Sequence, residues 1–205
     1  MQARKRTPTT PRRLPRSQFG TATVDAILAA VERILERDGL ERLTTNHIAE
    51  LAGVSIGSLY QYFPNKESLI GALQDRYAED TLARVRGALD GAEGQPIRTV
   101  IMRIGEAVLA AKQNQRPIHR WLIDARTAAG AWERYRRSLD VHVDLIAEFL
   151  AKRSDVNVPD HRAAAFVLVH ASEGLIEAVT ERPDGVDASR VVLEAVELLA
   201  RFVQR

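Results

Sequence analysis

The chain has no cysteine among its 205 residues, which excludes a disulfide framework, a thiolate metal site and a cysteine nucleophile. No uninterrupted apolar run approaches the roughly 18 residues of a membrane-spanning helix. The longest, Ala163 to Val169, is of core size. The N-terminus is basic but has no apolar stretch behind it, so no secretory signal is expected and the chain reads as soluble and cytoplasmic. No H-E-x-x-H, P-loop or G-x-G-x-x-G pattern occurs, so nothing points to a zinc protease, nucleotide or dinucleotide site. Neither a cofactor nor an enzymatic activity is expected. What remains, 45% apolar and 27% charged, is ordinary globular composition.

Acidic residues are missing from one end. Residues 1 to 24 hold Arg4, Lys5, Arg6, Arg12, Arg13 and Arg16 and no acid, so the rest carries −4 against the whole chain's +2. Pro8, Pro11 and Pro15 interrupt the same stretch, and residues 1–19 are expected to be a disordered basic arm. Residues 25 to 67 carry four basic residues against seven acids, an unfavourable balance for approaching phosphates. The arm is therefore either a source of attraction for a polyanion or a solubilising tail.

Strand-like alternation is absent beyond four residues, and every periodic segment reads helical. The expected fold is all-α with about nine helices, over about 21–37, 45–52, 56–62, 66–88, 96–113, 117–127, 131–153, 160–181 and 187–204. Residues 20–66 would form one domain and 67–205 a second, joined by the long fourth helix.

The segment TTNHIAELAGVSIGSLYQYFPNKESL, residues 44–69, is the most informative. Ile48, Ala49 and Ala52 form an apolar stripe, Gly53 stops the first helix, and Ser55 is placed to cap the next. Leu59 and Phe63, four apart, face inward. Ile56, Gly57, Ser58, Tyr60 and Gln61 are left outside, and none is charged. Such a face suits close approach to another polar surface, as when the second helix of a helix-turn-helix enters the major groove. Gly53 to Gly57 also satisfies G-x-S-x-G, but a nucleophile elbow needs a strand before it, and here a helix precedes.

Thr44-Thr45, Ile48-Ala49, Ala52-Gly53-Val54-Ser55, Gly57-Ser58-Leu59-Tyr60, Tyr62-Phe63 and Lys66-Glu67 together resemble the DNA-binding signature of TetR-family (tetracycline-repressor-like) transcription regulators. The resemblance covers roughly residues 20 to 70, with a dozen positions in one register. It implies phosphate contacts from Thr44, Thr45, Tyr60, Tyr62 and Lys66, with Ser58 beside them. It implies base contacts from Asn46, Ile56, Gly57 and Gln61, with Ser55 at the head of the reading helix. Asn and Gln pair bidentately with adenine, and Ile packs on a thymine methyl. With no Arg on this face, A·T pairs and DNA shape are expected to dominate the operator. The resemblance further implies a homodimer on a pseudo-palindromic operator and a small-molecule effector in the C-terminal domain.

In that domain the helices at about 160–181 and 187–204 are apolar around much of their circumference. Either they lie centrally in their own domain, or they pair with a second subunit as a four-helix bundle. The resemblance favours the pairing. Candidate ligand contacts are Met102, Glu106, His119, Trp121, Asp124, His142, His170 and Glu173. A cationic ligand would want an unpaired acid among them, whereas an apolar one would need only aromatic walls. Their spacing does not support a metal site. A helical carrier or enzyme with a vestigial helix-turn-helix is the alternative, and a regulator answering to a protein, or to nothing, a third.

Overall fold

Capping residues and glycines set most of the helix ends. A computed structural model describes residues 18–125, 131–181 and 186–204, without the side chains of 18, 19, 115–125, 131 and 181. Residues 1–17 of the basic arm thus lie outside the described residues, and residues 18 and 19 begin the first helix. The α-helices are α1 (Gln18–Arg37), α2 (Thr45–Ala52), α3 (Ile56–Tyr62), α4 (Lys66–Leu89), α5 (Ile97–Ala125), α6 (Ala131–Ala151), α7 (His161–Glu181) and α8 (Ala188–Val203). A short 3-10 turn, Leu40–Arg42, follows α1. The described residues contain no strand.

Among the described residues eight helices stand where nine were expected, because the segments at 96–113 and 117–127 are one continuous α5. Proline inside a helix removes one backbone hydrogen bond and crowds the preceding turn. Helical bonding on both sides nevertheless carries the backbone through Pro117, consistent with the cooperativity of propagation.

The chain divides into two compact units, residues 1–77 with 117–135, and 78–116 with 136–205. Helices α4, α5 and α6 each contribute to both. In the first unit α1 buries Ile27, Val31, Ile34 and Leu35 against Ile48, Leu59, Phe63, Leu69 and Leu73. The Tyr77 hydroxyl donates to Glu32 Oε1 at 2.9 Å, fastening α4 to α1. Burial first, then the neighbouring Glu32 carboxylate, push the Tyr77 pKa well above its ordinary value, so it remains a donor at any physiological pH. Arg134 Nη1 on α6 donates to Asp75 Oδ2 on α4 at 2.9 Å.

The core of the second unit runs from Val85 and Leu89 through Val100, Ile146, Leu150 and Leu168 to Val196 and Leu199. Arg153, only 6% exposed in its side chain, is the polar knot below it. Its guanidinium donates to both Asp155 carboxylate oxygens at 2.7 Å and to the carbonyls of Ala92 and Gln95. Asp155 Oδ2 in turn accepts from the Ile97 N–H at the start of α5, at 3.0 Å. Chiefly through the Arg153 hydrogen bonds, the Asp155 carboxyl is held below its usual range. Arg153→Met removes the donor to both carbonyls and leaves the Asp155 carboxylate only the Ile97 N–H, so unfolding stability is expected to fall by about 2–4 kcal/mol. Denaturant titration measures it, and a loss under half a kcal/mol (roughly the scatter of surface substitutions) contradicts the assignment.

One described stretch, His161–Thr180 in α7, is long and apolar enough by length and composition to cross a membrane, with mean hydropathy 1.4. Counting only uninterrupted apolar runs passes over it, because His170, Ser172, Glu173 and Glu177 divide it. Ala164, Ala165, Leu168 and Ile176 are buried within the second unit, while Phe166, Val167 and Leu175 on the same helix are exposed. It is a core helix with one uncovered face.

Candidate nucleic-acid interface

Three local devices build the interface. Thr44 caps α2, its hydroxyl accepting from the His47 N–H at 3.3 Å. Gly53 ends α2 at φ 67° and sends its N–H back to Ala49 O and Glu50 O, a left-handed conformation that glycine adopts without penalty. Ser55 caps α3 by accepting from the Ser58 N–H at 3.0 Å, and the two serine hydroxyls lie 2.8 Å apart. The G-x-S-x-G segment is therefore the turn of a helix-turn-helix, with α2 and no strand before it.

Leu59 and Phe63 are fully buried and hold α3 against α1 and α4 through the core of the first unit. That leaves Ile56 40% and Tyr60 44% exposed, with Gly57 and Gln61 exposed beside them. Ser58 and Tyr62 are half-buried, and Tyr62 packs partly on the core. On α2 and its cap, Thr44 and Asn46 are exposed and Thr45 half-buried. Thr45 Oγ1 lies 3.3 Å from the Tyr60 hydroxyl, which ties the head of α2 to the outer face of α3. Lys66 is half-buried, one of its three N–H donors spent on Leu40 O at 2.8 Å. The structure thus gathers Thr44, Thr45, Asn46, Ile56, Gly57, Tyr60 and Gln61 as open positions. Ser55, Ser58, Tyr62 and Lys66 brace them and keep polar atoms partly accessible. His47, half-buried with Nδ1 3.3 Å from Arg42 O, was not foreseen as a brace, since a single His on a helix carries no signal of its own.

The residues foreseen as ligand contacts separate. Met102 is half-buried against the core of the second unit. Glu106 is exposed. His170 is exposed as well, stacked on Phe166 at 3.9 Å between ring centroids. The side chains of His119, Trp121 and Asp124 lie outside the described residues. His142 and Glu173 are interior. Glu173 receives a 2.7 Å bond from Lys112 Nζ, in side chains only 12% and 9% exposed. Lys112 was missed, although it continues the inward stripe of Ile101, Ile104 and Val108, where a lysine demands a partner.

Burial holds the His142 imidazole below the ordinary histidine pKa, outweighing the Ser138 carbonyl that favours the charged form. Below about pH 6.5 the unfolded chain binds a proton here that the folded chain refuses. Stability is therefore expected to be level above that pH and to fall as the pH drops, by at most about 1.4 kcal/mol per unit from this group. Melting curves of the wild type and His142→Phe between about pH 7.5 and 5 test it. Identical slopes contradict it.

A capped helix-turn-helix with a bare, uncharged second helix, followed by a separate helical unit, defines a DNA-binding regulator of the helix-turn-helix class. Residues 27–73 match the family model described as bacterial regulatory proteins, tetR family, and residues 96–202 match the tetracyclin repressor-like C-terminal domain. The chain belongs to the TetR family of transcription regulators. It is 31% identical over 173 residues to the HTH-type transcriptional regulator TtgR of Pseudomonas putida, covering 78% of this chain and 81% of that protein. It is 27% identical over 178 residues to the HTH-type transcriptional repressor KstR of Mycolicibacterium smegmatis, covering 84% of each. A transcriptional regulator from Cytophaga hutchinsonii shares the fold with a TM-score of 0.71 at 16% identity, over 90% of this chain and all of that one.

Proposed function

We propose that the protein is a cytoplasmic, homodimeric repressor that binds a pseudo-palindromic operator and is released by a small molecule bound in its second unit. The observation that carries the DNA-binding half is the outer face of α3, exposed and uncharged on a helix whose other side is fully buried. A solvated helix of this kind ordinarily carries Lys and Glu. Asn46, Ile56, Gly57 and Gln61 read bases in successive major grooves. Thr44, Thr45, Tyr60, Tyr62 and Lys66, with Ser58, set the register on phosphates. For the dimer, α7 presents Phe166, Val167, His170 and Gly174 along one exposed face. α8 adds exposed Leu193 and Leu198. Two copies of these helices form a four-helix bundle.

Release requires the ligand to favour the conformation that does not fit the operator, through a coupling of about 1–3 kcal/mol. A gel shift on the intergenic DNA upstream of the protein's own coding sequence tests the reading. A retarded band competed by the same DNA and not by unrelated duplex is expected, and no preference between the two contradicts it. The basic arm supplies attraction that the acidic helix-turn-helix region lacks. Removing residues 1–16 is expected to lower the slope of log affinity against log salt by about 0.9 for every phosphate that the arm neutralises. An unchanged slope rules the arm out.

A further inference from the structure

Three helices of the second unit bring polar side chains into an apolar interior. Lys112 on α5 is bonded to Glu173 on α7 at 2.7 Å, both nearly buried. His142 on α6, 9% exposed, has its Nδ1 2.7 Å from Ser138 O. A carbonyl only accepts, so Nδ1 carries the ring proton and Nε2 is left as a lone-pair acceptor. Nε2 is buried and has no hydrogen-bond partner among the described residues. Buried acceptors are almost always satisfied, so this atom calls for a donor.

The charges around the ring decide what kind of donor. Glu173 on α7 and Lys112 on α5 bear on His142 with opposite signs, and Arg86 on α4 adds to the positive side. The two interior charges already satisfy each other. A carboxylate entering here would set one acceptor against another at Nε2 and compete with Glu173 for Lys112. An ammonium would compete with Lys112 for Glu173. Either exchange strands a buried charge, which is strongly unfavourable. Resting on the ligand-released reading above, we propose that the effector is a neutral organic molecule whose hydroxyl or N–H group donates to His142 Nε2 beside the Lys112–Glu173 pair. The sequence left cationic and apolar effectors equally open. The pairing of Glu173 removes one reason for a cation, and the unmet acceptor removes the case for a purely apolar molecule. A trapped water makes the same bond, and a ligand hydroxyl that replaces it keeps the bond.

The test uses the full-length, 15N-labelled protein at about pH 7.5, where the neutral ring prevails. Long-range 1H–15N spectra follow the His142 ring, assigned by the peak that disappears in His142→Phe. The probes are phenol, anisole, benzoate and benzylammonium. Phenol is expected to move the Nε2 resonance upfield and to bind about 5–10-fold tighter than the other three, the worth of one neutral hydrogen bond. In His142→Phe the advantage of phenol over anisole is expected to fall below about twofold. Equal affinities in the wild type, tighter benzoate or benzylammonium, or no movement of Nε2 up to the solubility of phenol each overturn the inference. These wild-type readings suffice even if His142→Phe does not fold. Phenol that binds at Nε2 yet leaves operator affinity unchanged overturns the release mechanism and not the chemistry of the site.

Discussion

Gly57→Glu is expected to leave the melting temperature unchanged or slightly raised while lowering operator affinity at least about 100-fold. A Cβ at position 57 meets only Ser55 Oγ, at 3.8 Å, so the fold has room for a side chain. Replacing glycine inside a helix contributes up to about 1 kcal/mol of stability. A carboxylate in the first turn also suits the helix dipole. On DNA the same carboxylate stands where bases and phosphates must come close, and a dimer carries it twice. One mispaired base costs about 1–3 kcal/mol, so two blocked half-sites lose at least the stated factor. Fluorescence anisotropy on the operator, paired with a melting curve, separates the two effects. Retained affinity would remove α3 as the reading helix.

In the second unit, Gly174→Arg is expected to convert the proposed dimer into monomers without unfolding them. An added Cβ at Gly174 meets nothing within 4 Å, and position 174 is exposed on the same face of α7 as Phe166, Val167 and His170. In the proposed dimer that face must bury a guanidinium at the seam. An unpaired buried charge costs several kcal/mol, enough to raise the dimer dissociation constant by at least about 100-fold. Operator affinity is expected to fall with it, since each half-site is then bound separately. Sedimentation equilibrium decides the matter. A dimer that survives the substitution lies on another face, and the exposed apolar residues of α7 then need another cover.

Much of the first unit was legible because its signals are local. The ends of α2 and α3 fall at 45–52 and 56–62 because Thr44, Gly53 and Ser55 act on backbone groups within three or four residues. Leu59 and Phe63 turn inward for a similar short-range reason, four residues apart on a short helix. Elsewhere a local signal misled. Residues 96–113 and 117–127 read as two helices, but the effect of Pro117 depends on what the helix around it can sustain, and α5 continues to Ala125.

From residue order alone came the all-helical class, the helix-turn-helix with its uncharged reading face, the apolar last two helices and the basic arm. Each follows from spacing within one or two helical turns, where backbone geometry permits few alternatives. Tertiary packing alone brought Lys112 to Glu173 and left His142 Nε2 beside no donor. It also gathered Ala92 and Gln95 around Arg153. Those partners stand 61 residues apart in the first pair and as much as 61 in the last set. Which of many polar side chains meets which is decided by how helices rotate and cross, and the energy of a buried charge makes that choice matter.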